Sequence, residues 1–335
     1  MSIAVKSGSN LYYVLVTEES SRMLEFNDAS ADQRAALHPA LVDRRTLLNS
    51  ADPSLGRTDA RRSAEDEVGG ILEKFDEARD TLLVFSRRDR TQPLGHAWWR
   101  TGVGNYPEEG LAVLRDLEVE SEHFTEATSK VLGRLEAAGT RLVVTRARAD
   151  DSASLCGFEI AGFRRISMVM YRDLARPLSL DMSCPAVSLR TMTAAEATSY
   201  WTQFTREYTD VLIDEMRTPE FAHREAHWLA DLSQQEEGLP LAIVDEESGE
   251  SVGALWYFVS DSGVGSISDI RLQETCRGRG FGTATFQCLE ARALEAGTRF
   301  LVLGVACSNQ PALRLYRKVG FEATSIELRR RIGPS

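Results

Sequence analysis

The sequence predicts an α/β (α+β) protein of two tandem, related domains, each a mixed, mostly antiparallel sheet flanked by helices. Three observations carry that expectation. The chain has 335 residues, too many for one ordinary core and suited to two of roughly 150 each. Four blocks of the first half recur, in the same order, in the second. In each half, strand-like and helix-like segments alternate in one shared order.

The blocks are short but ordered. Residues 94–99 (LGHAWW) match 252–257 (VGALWY), and 116–119 (DLEV) match 269–272 (DIRL). Residues 135–144 (LEAAGTRLVV) match 293–302 (ALEAGTRFLV), and 162–164 (GFR) match 320–322 (GFE). The copies differ in one place. From Asp116 to Gly139 is 23 positions and from Asp269 to Gly297 is 28, so the second copy holds five more residues. They fall at Arg277-Gly278-Arg279-Gly280-Phe281-Gly282, where the first copy has Ser121-Glu122-His123-Phe124-Thr125-Glu126 and no glycine.

In chain order, a strand is expected over 11–16, polar helices within 32–78, and the repeated unit over 81–174. In that unit Trp98 and Trp99 read as adjacent strand residues, one ring in the core and one outside. Pro177 and Pro185 mark a linker over 177–186, which separates 1–176 from 187–335. The second half reads as helices over 194–215 and 219–235, then strands over 241–244, 253–259 and 265–272. A helix over 283–296 follows the glycine loop, with Phe286, Leu289, Ala293 and Ala296 on one face. The apolar run 299–306 has the pattern of a strand buried on both faces. A short helix over 310–319 and a strand or hairpin over 321–331 complete the unit.

Composition narrows the function. A net charge of −11 repels polyanions and argues against nonspecific nucleic-acid binding. Five scattered cysteines, none spaced C-x-x-C, argue against a disulfide framework and a structural zinc site. No metal is expected. No apolar run reaches membrane-span length, and the first residues lack the apolar core of a secretory signal, so a cytoplasmic protein is expected.

The glycine loop follows a strand and opens a helix. Glycines there admit positive φ and let successive amides converge, and the helix end adds a positive pole. A pyrophosphate suits such a place, with Arg277 and Arg279 for outer phosphates; a tight turn that merely needs glycine is the other reading. A P-loop is excluded because Gly282-Thr283-Ala284 has no lysine. A dinucleotide-binding unit is excluded because Glu290 and Glu295 lie within the helix, not at a strand end.

Residues 188–332 resemble the GCN5-related N-acetyltransferase (GNAT) superfamily. Arg277, Gly280 and Gly282 take the places of its R/Q-x-x-G-x-G/A signature, and 309–321 (NQPALRLYRKVGF) is similar to its N-x-x-A-x-x-L-Y-x-x-x-G-F. The first half resembles the family only through the repeat, as a degenerate copy. It is expected to close one side of the acceptor cleft or to complete a shared sheet.

The resemblance implies an acyl-CoA-dependent N-acyltransferase acting on a small-molecule amine, with acetyl-CoA or another short acyl-CoA as cosubstrate. It implies that Arg277, Gly278, Arg279, Gly280, Phe281, Gly282 and Thr283 hold the pyrophosphate and that Ile270, Arg271 and Leu272 run beside the pantetheine arm. Asn309 would contact the cosubstrate, and Tyr316 would be the general acid for the leaving thiolate. Many relatives that acetylate protein N-termini carry a glutamate in the fifth strand, where this chain has Gly304; Asp269 is the base proposed instead. Tyr208, Asp210, Asp214 and Glu215 form an acid-and-aromatic wall where the family binds its acceptor. His223 and His227 lack the flanking glutamate and third ligand of a zinc site and read as a surface helix. Two other functions fit the same fold: aminoacyl transfer from tRNA, and ligand binding without turnover.

Overall fold

The structure, a computed structural model, describes residues 2–7, 10–15, 25–50, 57–86, 94–102, 110–176, 184–235, 240–259 and 263–333. Most of the expected linker, 177–183, and Val16 of the expected first strand lie outside the described residues.

The first half opens with a hairpin, β1 (Ser2–Ser7) and β2 (Asn10–Leu15), which forms a sheet of its own. Then come β3 (Glu25–Asp28), α1 (Ala31–Asn49), α2 (Arg57–Glu73), β4 (Asp80–Ser86), β5 (Gly95–Thr101) and β6 (Leu111–Val119). α3 (Phe124–Ala137), β7 (Leu142–Arg148), α4 (Ser152–Ile160) and β8 (Arg164–Asp173) finish it. The second half runs β9 (Val187–Thr191), α5 (Ala194–Asp214), α6 (Pro219–Gln235), β10 (Leu241–Asp245), β11 (Ser251–Val259) and β12 (Val264–Leu272). It ends with α7 (Phe281–Glu295), β13 (Phe300–Ala306), α8 (Gln310–Lys318) and β14 (Glu322–Arg331). β1, β3 and β9 have no counterpart in the sequence reading, and the last segment is one strand.

Local chemistry explains several boundaries. α1 and α5 each start on a reciprocal capping box, Ser30 with Gln33 and Thr193 with Glu196. Gly139 and Gly297 leave α3 and α7 with φ of +80° and +75°, the left-handed turn that only glycine enters without strain.

Both halves share one 12-stranded sheet in the order β3-β4-β5-β6-β7-β14-β8-β13-β12-β11-β10-β9. Only β6–β7 and β12–β13 are parallel; the other neighbours are antiparallel. The last strands are exchanged. β14, from the second half, pairs with β7 through Ser325↔Arg148 to Arg331↔Leu142. β8, from the first half, pairs with β13 through Phe300↔Asp173 to Ala306↔Ser167. One core therefore runs across both halves, from Leu83 and Trp99 to Phe286, Leu301 and Leu328.

Two smaller cores lie on the other face. Helices α5 and α6 cover β10 and β11 through Trp201, Phe204 and Trp256, and α1 and α2 cover β4 and β5 through Leu41, Val68 and Trp98. This corrects the expectation for the tryptophan pair. Trp98 and Trp99 are each only 3 % exposed, because helices cover both faces of β5.

Candidate functional site

β12 and β13 pair only from Val264↔Phe300 to Ile267↔Leu303. Against β11, the register slips between Trp256↔Asp269 and Tyr257↔Ile267, which leaves Ser268 as an extra residue. A bulge bends its strand. Past it, β12 stays with β11 while β13 stays with β8, and the two part. A cleft of about 600 Å³ opens beside the gap, between the end of β12, the glycine loop and α8.

The loop forms one wall. After a short helical turn at Glu274–Cys276, Gly278 and Gly280 take φ of +74° and +90°, and α7 begins with no side-chain cap. The amides of 278–283 donate to no acceptor among the described residues. Several unpartnered amides at a helix start make an anion cradle. A Cβ on Gly280 would stand 3.0 Å from Pro185 Cδ, and one on Gly282 would stand 2.8 Å from Leu315 Cδ2, whereas Gly278 faces open space. Glycine is thus needed for two reasons: close packing beneath the loop and free approach above it.

The cleft brings together Ile270, Leu272, Arg277, Gly278, Gly280, Gly282, Thr283, Asn309 and Tyr316, all named from the sequence. Arg277 is partly engaged, its Nε donating to the Leu272 carbonyl. Two of the named loop residues turn elsewhere. Phe281 is buried, and the Arg279 guanidinium lies over its ring at 5.4 Å. Asn309 Oδ1 accepts from the Ala312 amide at 3.2 Å, capping α8 while the residue lines the cleft. Arg314 and Lys318 also line the cleft and were missed in the sequence. Their signal was the helical spacing of Pro311, Arg314, Leu315 and Lys318, which puts them on one face.

Tyr316 is 7 % exposed, its ring held edge-on by Phe286 at 5.7 Å. Its hydroxyl has no hydrogen-bond partner among the described residues. Burial, with a smaller push from the Asp269 charge, raises its pKa to about 12.

Asp269 sits at the bulge. Its Oδ2 accepts from the Tyr200 hydroxyl at 2.8 Å and from Arg271 Nε at 2.8 Å, and Arg271 Nη1 lies 3.1 Å from Glu207. Although Arg271 borders the cleft, its guanidinium is thus committed to two acids. Burial raises the Asp269 pKa, and Arg271 and Tyr200 only partly offset it, leaving the carboxyl above its usual value.

The expected acceptor wall divides. Tyr208 stacks on Phe204 at 5.4 Å, and Glu215 meets Arg329 of β14 at 3.4 Å. Burial raises both pKa values, for Tyr208 with help from the Glu215 charge and for Glu215 against the pull of Arg329. Asp210 and Asp214 face outward, Asp210 into a groove between α5 and α6. Arg329 Nη2 also meets Glu327 Oε1 at 2.6 Å, and both residues come from the exchanged strand. Of the two histidines, His227 Nδ1 bonds the His223 carbonyl at 2.8 Å, an arrangement within one helix.

Residues 199–321 match the model of the acetyltransferase (GNAT) family. An uncharacterized N-acetyltransferase of Bacillus subtilis (strain 168), YdgE, is 32% identical over 92 residues, 27% of this chain and 59% of that protein. The mycothiol acetyltransferase of Mycolicibacterium smegmatis is 33% identical over 94 residues, 27% of this chain and 32% of that protein. The matches thus span about three fifths and one third of these relatives' lengths. A GCN5-related N-acetyltransferase from Sphaerobacter thermophilus shares the fold, with a TM-score of 0.54 and 20% identity over 93% of this chain and 96% of that one. Among the described residues, no helix is long and apolar enough to cross a membrane.

Proposed function

With the chain a member of the GNAT superfamily through its C-terminal half, we propose that it is an acyl-CoA-dependent N-acyltransferase, acetyl-CoA being the first donor to test and a small-molecule amine the acceptor. One observation supports this most: an uncapped, glycine-built helix start and a buried neutral phenol line the same cleft.

Acyl-CoA supplies an activated thioester carbonyl. The amides of 278–283 hold its pyrophosphate, with Arg277, Arg314 and Lys318 beside them for the remaining phosphates. The freed edge of β12 at Ile270 and Leu272 orients the pantetheine arm. Tyr316 keeps its proton throughout the neutral range, so its hydroxyl can give that proton to the departing sulfur. Asp269, above the ordinary carboxylate range, takes the proton of the amine. The amine attacks directly while both substrates are bound, so much of the rate comes from holding them together.

The test is thiol release from acetyl-CoA, and from longer acyl-CoAs, over a panel of small amines. At least one amine should drive release, and Gly280→Val should weaken CoA binding by about tenfold or more, because φ of +90° and the Pro185 contact both oppose a side chain there. Arg277→Glu serves as a second variant that leaves the turn intact. Unchanged CoA affinity in both variants would sink the loop assignment. Tight CoA binding with no release over the whole panel would favour a binding module, and charged tRNA replacing acetyl-CoA as donor would change the donor class.

A further inference from the structure

The first half opens a cleft of its own. β6 and β7 pair in parallel from Leu111↔Leu142 to Leu114↔Thr145. The register against β5 then slips between Trp98↔Asp116 and Trp99↔Leu114, leaving Arg115 as the extra residue, and the strands part. The gap is a cavity of about 350 Å³. It cannot repeat the chemistry proposed above. The chain passes from β6 into α3 through a short helical turn at Ser121–His123 with no glycine, and Phe158 takes the place of Tyr316.

The walls carry four guanidinium groups. Arg44 lies 3.4 Å from Asp116, Arg146 lies 3.4 Å from Glu327, and Arg148 grips Asp150 with contacts of 2.8 and 2.5 Å. Among the described residues Arg115 makes no hydrogen bond and no close ion pair, Asp80 and Glu67 acting on it only at longer range, and its Nε is buried. Its guanidinium stands 5.6 Å from the Trp98 ring, and the buried Trp98 Nε1 is also without a partner. Trp98 borders a void of about 20 Å³ that shares Arg44, Leu48, Arg115 and Asp116 with the larger cavity. One water fits a void of that size and could satisfy the indole N–H. It would leave the half-buried guanidinium without a bonded anion, and drawing a cation partly out of water without one is costly. Burial, with a further push from the nearby Arg100, lowers the Arg115 pKa; Asp80 and Glu67 pull the other way without making up the difference.

The remaining walls define the anion. Leu47, Leu117 and Phe158 are apolar, whereas Asp116, Asp150 and Asp151 would repel a doubly charged guest. We propose that this cavity is a second, non-catalytic site that binds a small organic monocarboxylate, its carboxylate on Arg115 and its apolar body against Leu47 and Phe158. Guanidinium is the side chain best shaped for that group.

The probes are benzoate and phenylacetate, with inorganic phosphate as the dianionic comparison, titrated into the full chain by calorimetry. At least one carboxylate should bind saturably and more tightly than phosphate, and Arg115→Met should weaken it about tenfold or more, as for loss of a charge-assisted hydrogen bond. CoA binding should not change. Arg115→Met should also melt no lower than the parent chain, because it removes a half-buried charge that no acid directly pairs; a residue needed for folding would behave the opposite way. Arg44→Gln is a second variant, expected to weaken the same carboxylate. No saturable binding of either carboxylate below about 10 mM, where affinity is negligible, would overturn the proposal. So would affinity unchanged in both variants, or a preference for phosphate.

Discussion

At the cleft between β12 and β13 stands Tyr316; at the matching point between β6 and β7 stands Phe158. The backbones around them agree closely. Each cleft opens after a bulge in the middle strand, each has an aspartate beside that bulge, and each has a short helix capped by Asn309 or Asp151. What differs is one hydroxyl, five residues of loop and the partners of the aspartate. The comparison shows which features are architectural: the bulge, the cap and the aspartate survive in a copy without the cradle, so none of them alone marks a transfer site.

The two aspartates show how environment resets one residue type. Burial works to raise Asp116, but the His96 bond at 2.8 Å and the Arg44 charge outweigh it, and the carboxyl lies below its ordinary 3.8. At Asp269, with Tyr200 in place of the histidine, burial wins and the carboxyl lies above 3.8.

Three experiments test the difference between the two clefts. The largest effect is expected from cutting the chain. Because β8 and β14 are exchanged, residues 1–176 and 187–335 expressed apart should each lack cooperative folding by circular dichroism, and together should reconstitute one species on size exclusion. Independent folding of either piece would show that the shared sheet is dispensable.

Next comes Tyr316→Phe, which makes the second cleft resemble the first. Turnover should fall by about 10²–10⁴, the range for loss of a positioned proton donor, while CoA affinity holds. Because the hydroxyl has no protein partner, stability should change by less than ~0.5 kcal/mol. An unchanged turnover number would remove Tyr316 from the chemistry.

The smallest effect concerns the aspartates and turns on sign. A lowered pKa means that Asp116 stabilises the fold above 3.8 and that this is lost as pH falls through the folded value. The deficit of Asp116→Asn, about 1–3 kcal/mol for a charge-assisted bond, should therefore shrink in acid. A raised pKa means the reverse for Asp269: between 3.8 and its folded value, the parent chain gains stability as pH falls. The deficit of Asp269→Asn should grow over that window. Denaturant melts across pH decide it, and parallel profiles for the two variants would show that the sites are electrostatically alike.

Much of this was legible in the residues. Gly278, Gly280 and the downstream 309–321 motif are local signals, because a left-handed turn and a helix face depend on near neighbours. The repeat located the bulge strands, and the extra five residues separated the cradle-bearing copy from the other. The acid-and-aromatic helix was only half legible. Helical spacing groups Tyr208 with Glu215, and Asp210 with Asp214, but it does not say which group meets Arg329. The pairing of Asp269 with Tyr200, 69 positions away, has no sequence signature.

By itself, then, the sequence determined the glycine loop, its one-sided occurrence and the phenol that accompanies it, because each rests on backbone conformation or short-range spacing. Tertiary structure alone decided that β14 and β8 change places, that both tryptophans of β5 are buried, and that Arg115 is left without a hydrogen-bonded partner beside a cavity. Strand partners and burial are set by what lies across the sheet, and no local pattern in the chain encodes that neighbour.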